Sequence, residues 1–212
     1  MKHMMFLFMI IILVGCQKPI NQKVIEEVVV NQKIMILLGD EFGNAYFDMK
    51  TYLQDRDFEV ITVSVTKDDL LSCGNHDSIE LTPDLYIGEI EDINEYSAIF
   101  IPPGKHHRTI HYKDDVKNLL NDAKEKNIII SSVCAGNIVL CEIDGLVDGI
   151  KISASAYTLD YIREAGGVAE YRSVVVDLPF ITGTSGGGKS GNGYKDAPLE
   201  ELANALKESL KE

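Results

Sequence analysis

The stretch IIISSVCAGNIVL, residues 128–140, joins a β-branched apolar run to a second apolar segment through Cys134 and an Ala-Gly-Asn sequence. Residues 128–133 predict a buried central strand, and residues 135–143 predict a helix. A cysteine between such elements meets backbone N–H groups that favour a thiolate and can hold an oxyanion. Cys134 is therefore either a nucleophile held on a turn or a small buried hydrophobe, because free cysteine is among the most buried residue types.

The rest of the chain alternates apolar runs with amphipathic segments. Strands are predicted at 33–38, 58–65, 96–103, 150–155 and as a pair within 172–184, with a short hairpin within 79–90. Helices are predicted at 44–56, 113–127, 157–166 and 198–211. Continuous hydrophobic strands separated by helices indicate an α/β fold with a mainly parallel sheet covered on both faces. Ligands of such sheets bind in the crevice at the carboxyl ends of the strands.

Three loops follow predicted strands and are expected to meet in that crevice: GDEFGN (39–44), PPGKHH (102–107) and VCAGN (133–137). If Cys134 attacks a carbonyl carbon, the backbone amides of Gly104 and Ala135 are the expected oxyanion donors. Gly136 lets a ligand approach the backbone closely. These residues are typical of a strand-to-helix nucleophile elbow.

The first residues predict an export signal. Lys2 and His3 precede an apolar run of about a dozen residues, too short for an ordinary membrane-spanning helix. The end of this run, Leu-Val-Gly-Cys16, resembles a bacterial lipobox, which implies cleavage before Cys16 and a lipid on its sulfur. An uncleaved anchor or plain secretion is the alternative. We expect a signal peptide at 1–15, a lipid-anchored tether at 16–32, an extracytoplasmic domain at 33–212, and contact with the membrane through Cys16.

Charge and cysteine content limit the function classes. The net charge of −13 disfavours binding to nucleic acid, and no basic cluster offsets it. With Cys16 assigned to the lipid, Cys73, Cys134 and Cys141 form an odd set, so at least one thiol is free within a single chain. His107 and His111 have a helical spacing suited to a metal, but no third ligand is evident, so neither a metal nor a cofactor is expected.

The chain resembles the DJ-1/PfpI family of the class I glutamine amidotransferase-like superfamily over nearly all of residues 33–212. The resemblance rests on KIMILLGDEF (33–42), EYSAIFIPPG (95–104), IIISSVCAGN (128–137), GLVDGIKISAS (145–155) and FITGTSGGG (180–188). It implies a flavodoxin-like three-layer sandwich, usually a homodimer, with a reactive elbow cysteine. The associated activities are glyoxalase III or deglycase chemistry, amidase or protease activity, chaperone-like behaviour and oxidation sensing.

The sequence departs from that family at the partners of the cysteine. The family glutamate that receives a hydrogen bond from the thiol falls on Ala45 or Tyr46. The histidine that many members carry directly after the cysteine is Ala135. The family's other histidine corresponds to Ser153 or Ser155, and its later arginine to Thr184. A nucleophile without a positioned base generally loses activity.

Nearby residues are candidates to replace the missing partners. Asp40 and Glu41 supply carboxylates, and the sequence GKHHRTIH supplies His106, His107 and His111 as candidate bases. We predict Cys134, Glu41 and His106 as catalytic residues. The remaining pocket residues are predicted to be Asp40, Tyr46, His107, Thr184 and Ser185.

The sequence GTSGGGKS, residues 183–190, fits a phosphate-binding loop and follows a predicted strand. Such a loop must lead into a helix, whereas Gly-Asn-Gly and then Pro198 follow here. We interpret 183–193 as a glycine-rich loop over the mouth of the crevice.

Two functions follow from these residues. In the first, the protein is a cysteine-dependent hydrolase or a glyoxalase- or deglycase-like enzyme that acts on small reactive carbonyls or amides. In the second, it is a non-catalytic, lipid-anchored binding or redox-responsive module that keeps the fold and a free thiol. The elbow and its glycines favour the enzyme, and the missing glutamate and histidine favour the module.

Overall fold

A computed structural model describes residues 32–73, 78–184 and 197–211. Its central sheet has seven strands. They are β1 (Lys33–Leu38), β2 (Glu59–Ser64), β5 (Leu85–Tyr86), β6 (Tyr96–Ile101), β7 (Ile129–Val133), β10 (Val174–Asp177) and β11 (Phe180–Gly183). The spatial order is β10-β11-β7-β6-β1-β2-β5, and only the edge strand β10 runs antiparallel to its neighbour. The predicted parallel α/β architecture is confirmed.

Two layers of helices cover the sheet. They are α1 (Ala45–Gln54), α2 (His107–Ile110), α3 (Asp114–Glu125), α4 (Gly136–Cys141), α5 (Leu159–Glu164) and α6 (Leu199–Ser209). On one face, α1 and α6 bury Met49, Leu53 and Leu206 against the strands. On the other face, α3 buries Val116 and Leu120 in a second cluster that α4 and α5 complete. These two apolar clusters are the main source of stability, because the hydrophobic effect scales with the apolar area removed from water.

Two small sheets lie beside the main one. Strands β3 (Leu70–Leu71) and β4 (Glu80–Leu81) pair antiparallel, and β8 (Lys151–Ser153) and β9 (Val168–Glu170) pair parallel. None of the helices within the described ranges is both long enough and apolar enough to cross a membrane.

The hairpin predicted within residues 79–90 does not form. β4 pairs with β3, whereas β5 joins the main sheet beside β2. Asp84 explains the difference, because its backbone N–H donates to the Thr62 carbonyl (2.9 Å) and its carboxylate accepts from the Thr62 N–H (2.7 Å). This residue attaches the chain to β2 immediately after Pro83, which has no N–H to donate to a hairpin ladder.

The N-terminal predictions lie outside the described residues. They comprise the signal peptide (1–15), Cys16 and all of the tether except Gln32. Ser185 and most of the glycine-rich stretch at 183–193 also lie outside them. The domain boundaries therefore stay predictions.

Candidate functional site

Cys134 lies on a sharp turn between β7 and α4. Its φ angle is +52°, in the left-handed region that costs a non-glycine residue about 1–2 kcal/mol. Hydrogen bonds hold both of its peptide groups. Its N–H donates to the Gly183 carbonyl (2.9 Å), and its carbonyl accepts from the Asn137 N–H (3.0 Å). The side chain is partly exposed and packs against the cluster that contains Phe42. This strained, accessible position is that of a nucleophile elbow.

Gly136 lets the first turn of α4 lie against the end of β6. A Cβ atom at this position would come within 2.4 Å of the Ile101 carbonyl oxygen and 3.2 Å of the Pro102 oxygen. No side chain fits in that space. The elbow and the Pro-Pro-Gly loop are therefore in direct backbone contact.

Gly104 joins the Pro-Pro-Gly loop to the loop that follows β1. Its φ angle of +151° favours glycine, and a Cβ atom there would lie 2.5 Å from the Gly43 nitrogen. The Gly43 N–H donates to the Pro103 carbonyl at 2.7 Å. Together with the contact at Gly136, this packing confirms that the three predicted loops converge at the carboxyl ends of the strands.

The Gly104 and Ala135 N–H groups donate no hydrogen bond to any residue that the structure describes. Both residues are partly buried. One N–H belongs to the residue after Cys134 and the other to the Pro-Pro-Gly loop that contacts the elbow at Gly136. N–H groups in such positions suit a ligand oxygen that carries negative charge.

Asn137 lies beneath the elbow and is fully buried. Its Oδ1 accepts from the Ser132 hydroxyl at 2.6 Å, and its Nδ2 donates to the Ser153 carbonyl at 2.9 Å and the Gly183 carbonyl at 3.2 Å. Asn137 is not among the residues predicted for the site. The sequence feature that could have indicated it is a lone amide side chain inside an otherwise apolar helix. Such an amide is buried with the helix and therefore requires hydrogen-bond partners.

Cys141 differs from the other two cysteines of the described domain. Burial raises the pKa of its thiol to about 12, so it stays protonated at neutral pH. Cys73 and Cys134 are partly exposed, and none of the three forms a disulfide. The expectation of at least one free thiol is confirmed.

The family model described as DJ-1/PfpI matches residues 32–190, well over half of the chain. The chain belongs to the DJ-1/PfpI family. No curated protein matches the sequence.

Solved structures share the DJ-1/PfpI fold at low identity. A two-domain protein of Anabaena variabilis with DJ-1/ThiJ/PfpI-like and ferritin-like domains is 20% identical, with a TM-score of 0.72 over 85% of this chain. This chain covers 48% of that protein, about half its length. A ThiJ/PfpI domain protein of Brachyspira murdochii is 15% identical, with a TM-score of 0.72 over 84% of this chain and 96% of its own. Drosophila melanogaster DJ-1beta is 15% identical, with a TM-score of 0.70 over 85% and 90%.

The DJ-1/PfpI glutamate position is apolar here. Ala45 is fully buried, and Tyr46 belongs to the core. The Tyr46 hydroxyl shares a 2.8 Å hydrogen bond with Thr62 on β2, the third strand from β7 and thus about 14 Å from it. We predicted that Tyr46 lines the pocket. This is corrected for the hydroxyl group, which lies over β2 and not beside Cys134.

The two loop carboxylates have other partners. Glu41 forms an ion pair with Lys105 (2.9 Å) in which both side chains are more than half exposed. This contact raises the pKa of Lys105. Asp40 accepts a hydrogen bond from the Leu71 N–H at 2.9 Å. Both residues thus connect loops around the site, and neither has a hydrogen bond to Cys134 within the described residues.

His106 is not available as a base. Its Nδ1 accepts from the Gly39 N–H (3.1 Å) and its Nε2–H donates to the Pro102 carbonyl (2.8 Å), which fixes one neutral tautomer. Burial lowers its pKa to about 4. The expectation of a catalytic His106 is corrected, because both ring nitrogens already bind backbone groups.

His107 and His111 lie farther along the same segment. His107 Nδ1 donates to the Gly104 carbonyl at 2.6 Å, and its Nε2 lies 3.4 Å from the Tyr157 hydroxyl. Burial lowers the pKa of His107. His111 Nε2 lies 3.9 Å from Glu142 Oε2. No group of three metal-ligating side chains is found within the described residues. His107 therefore supports the Gly104 loop from the side of its carbonyl.

At the two remaining positions expected from the family, the serines form structural contacts and Thr184 is buried. The Ser153 hydroxyl donates to the Arg172 carbonyl at 2.6 Å, and Ser155 bonds to Thr158. Thr184 is 1% exposed, and its hydroxyl has no hydrogen-bond partner among the described residues. The elbow is thus retained without an acid or base from the family positions.

Proposed function

We propose that Cys134 is the nucleophile of a reaction on small reactive carbonyl compounds or amides, in a hydrolase or a glyoxalase- or deglycase-like enzyme. The observation that carries the proposal is the elbow itself. Cys134 is held at a φ of +52°, and the N–H groups of Ala135 and of Gly104 on the adjoining Pro-Pro-Gly loop have no hydrogen-bond partner among the described residues. A thiol that only filled space in the core would not need a strained backbone conformation.

The first step is addition to an aldehyde. The Cys134 thiolate forms a bond to the carbonyl carbon, and the carbonyl π electrons move to the oxygen. The N–H groups of Gly104 and Ala135 stabilise that oxyanion, which then takes a proton and gives a hemithioacetal. The thiol gives its proton to water, so no oxidant or reductant is consumed.

Turnover after this addition is expected to be slow. Neither Glu41 nor His106 is placed to move protons at Cys134, since one pairs with Lys105 and the other binds backbone groups. General acid–base catalysis typically supplies about 10²–10⁴-fold in rate. The same observation favours the second function, a binding or redox-responsive module that forms an adduct and goes no further.

The test is the alkylation rate of each thiol by iodoacetamide, read peptide by peptide in the folded protein. We expect Cys134 to react roughly tenfold faster at neutral pH than N-acetylcysteine in the same tube. Cys141, buried in α4, is the internal control and should stay unmodified. A Cys134 rate no higher than that of N-acetylcysteine would refute the proposal.

Methylglyoxal then separates the enzyme from the module. Both functions predict a reversible mass increase on the native protein that is lost in Cys134→Ser. Only the enzyme predicts continuing release of product, measured as lactate formed per mole of protein over time. A stoichiometric adduct without lactate would exclude the glyoxalase-like activity and favour the binding or redox-responsive module.

We also propose that the domain is exported and anchored by a lipid on Cys16. Lys2, the apolar run and the Leu-Val-Gly-Cys16 sequence support this location. A small molecule from outside the cytoplasm is then the proposed partner, and the net charge of −13 argues against nucleic acid. A homodimer is proposed from the family alone.

A further inference from the structure

Asn137 contacts three different strands at the elbow. Ser132, on β7, donates to its Oδ1 (2.6 Å), while its Nδ2 donates to carbonyls at the end of β8 and the end of β11. Each polar atom of the amide therefore has a partner, and each partner is buried or is backbone. A buried amide with complete hydrogen bonding is rigid, because any rotation would leave a polar group unpaired.

This network holds Cys134 by two routes. The Gly183 carbonyl that accepts from Asn137 Nδ2 also accepts from the Cys134 N–H. The Asn137 backbone N–H donates to the Cys134 carbonyl, which closes the turn from the other side. Both peptide groups that define the φ and ψ angles of Cys134 are therefore fixed to Asn137 or to its acceptor.

We infer that Asn137 is a positioning residue that keeps Cys134 in its left-handed conformation and so maintains the reactivity of the thiol. The inference rests on the proposed function, since it concerns the same nucleophile. A left-handed cysteine relaxes to negative φ unless its surroundings prevent it. Relaxation would turn the thiol and the Ala135 N–H away from their present directions.

The amide is specifically required. Asn137→Asp keeps the size of the side chain but replaces the Nδ2 donor by an oxygen that faces two carbonyl oxygens. Ser132→Ala removes only the hydroxyl that orients Oδ1. Ser131→Ala is the matched control, because Ser131 is the neighbouring serine on the same strand, is fully buried, and has a hydroxyl without a hydrogen-bond partner in the described part of the chain.

The experiment measures iodoacetamide alkylation of Cys73, Cys134 and Cys141 in the full chain. We expect Asn137→Asp to slow Cys134 roughly tenfold relative to Cys73 in the same molecule, and Ser132→Ala to slow it roughly threefold. Ser131→Ala should leave the ratio of the two rates unchanged. Cys141 reports folding, since loss of structure exposes it and makes it react. A change that only loosened the domain would accelerate Cys141, whereas a positioning role lowers the Cys134 rate with Cys141 still protected.

The outcomes separate the two proposals. If wild-type Cys134 reacts no faster than N-acetylcysteine, the proposed function fails and this inference fails with it. If wild-type Cys134 is fast and both Asn137→Asp and Ser132→Ala keep its rate, only the positioning role is overturned. If Asn137→Asp exposes Cys141, the Ser132→Ala variant tests the positioning role. A Cys134 rate lower in Ser132→Ala than in Ser131→Ala supports the role, and an equal rate overturns it.

Discussion

Cys134 occupies a backbone conformation that its own side chain disfavours. The strain is sustained by the Gly183 carbonyl and the Asn137 N–H, which bind its two peptide groups. The energy stored in one left-handed residue is comparable to that of one or two hydrogen bonds, so the surroundings are able to hold it. Strained residues cluster at functional sites, which is consistent with a nucleophile at this position.

The strain predicts an unusual order of stability among variants. Glycine adopts positive φ without penalty, so Cys134→Gly should be more stable than Cys134→Ala by about 1 kcal/mol. At Cys141, inside α4, alanine should instead be more stable than glycine by about 1 kcal/mol. Urea unfolding of the four variants measures both differences. If alanine were more stable than glycine at both positions, Cys134 would not be strained in solution.

The sequence identified Cys134 and the three loops, but not the partners of the thiol. The loops follow from chain order, because parallel strands bring their carboxyl ends to one edge. Which way His106 and Glu41 face does not follow from spacing. His106 lies in a run of polar residues typical of a surface, yet its ring is fully buried between two backbone segments.

At the scale of elements, His106 links the loops that follow β1 and β6. Gly39 directly follows β1 and Pro102 directly follows β6, and the imidazole bonds to both. A neutral ring accepts at one nitrogen and donates at the other, whereas a protonated ring has only donors. Protonation would therefore break the contact with Gly39 and separate the loop that follows β1 from the loop that carries Gly104.

This link predicts acid sensitivity. The pKa of His106 is about 4 in the folded state against an ordinary value of 6.5, so only the unfolded chain binds the proton between these values. The free energy of unfolding should fall as the pH drops below 6.5 and level off below about 4, by up to about 3 kcal/mol in total from this group.

The measurement is urea unfolding against pH for wild type and His106→Gln. Carboxylates contribute equally to both proteins, so the difference between the two curves isolates the histidine. Ile110→Val, which shortens a fully buried side chain by one carbon, serves as a control for a loss of stability without titration. Its curve should run parallel to that of wild type. Parallel curves for His106→Gln as well would contradict the proposed link.

Element prediction failed at residues 79–90, where a side chain overrode the local pattern. The runs that became β1, β6 and β7 are long and apolar, and their pairing in a parallel sheet follows from the helices between them. The segment at 79–90 had a hairpin composition, but Asp84 attached it to β2. A single side chain bonding to a strand distant in sequence cannot be foreseen from periodicity.

In the whole domain, Gln32, the first described residue, and the elbow lie at opposite ends of the parallel strands. Gln32 precedes β1, its carbonyl accepts from the Glu59 N–H at the start of β2, and its side chain donates to the Leu210 carbonyl at 3.0 Å. Cys134 follows the carboxyl end of β7. A strand of six residues is about 20 Å long, so the elbow lies about that far from Gln32. Gln32 therefore lies at the end of the strands that is away from the site.

This arrangement predicts that the anchor can be removed without loss of reactivity. In a bacterial host, Cys16→Ser should abolish labelling by an alkyne-bearing palmitate and release the protein from the detergent-extractable membrane fraction. Gln17→Ser, which keeps the lipobox cysteine, is the control and should stay labelled and membrane-bound. Cys134 alkylation should agree within about twofold between the released and anchored proteins, because Gln32, the first described residue, lies at the end of the strands away from the elbow.

The opposite results have distinct meanings for the whole molecule. Retention of unlabelled wild-type protein in the membrane would show that the apolar run over residues 4–14 is itself an uncleaved anchor. Release of wild-type protein without a lipid would indicate plain secretion. A fall in Cys134 reactivity on removal of the lipid would contradict the prediction that the anchor and the thiol act independently.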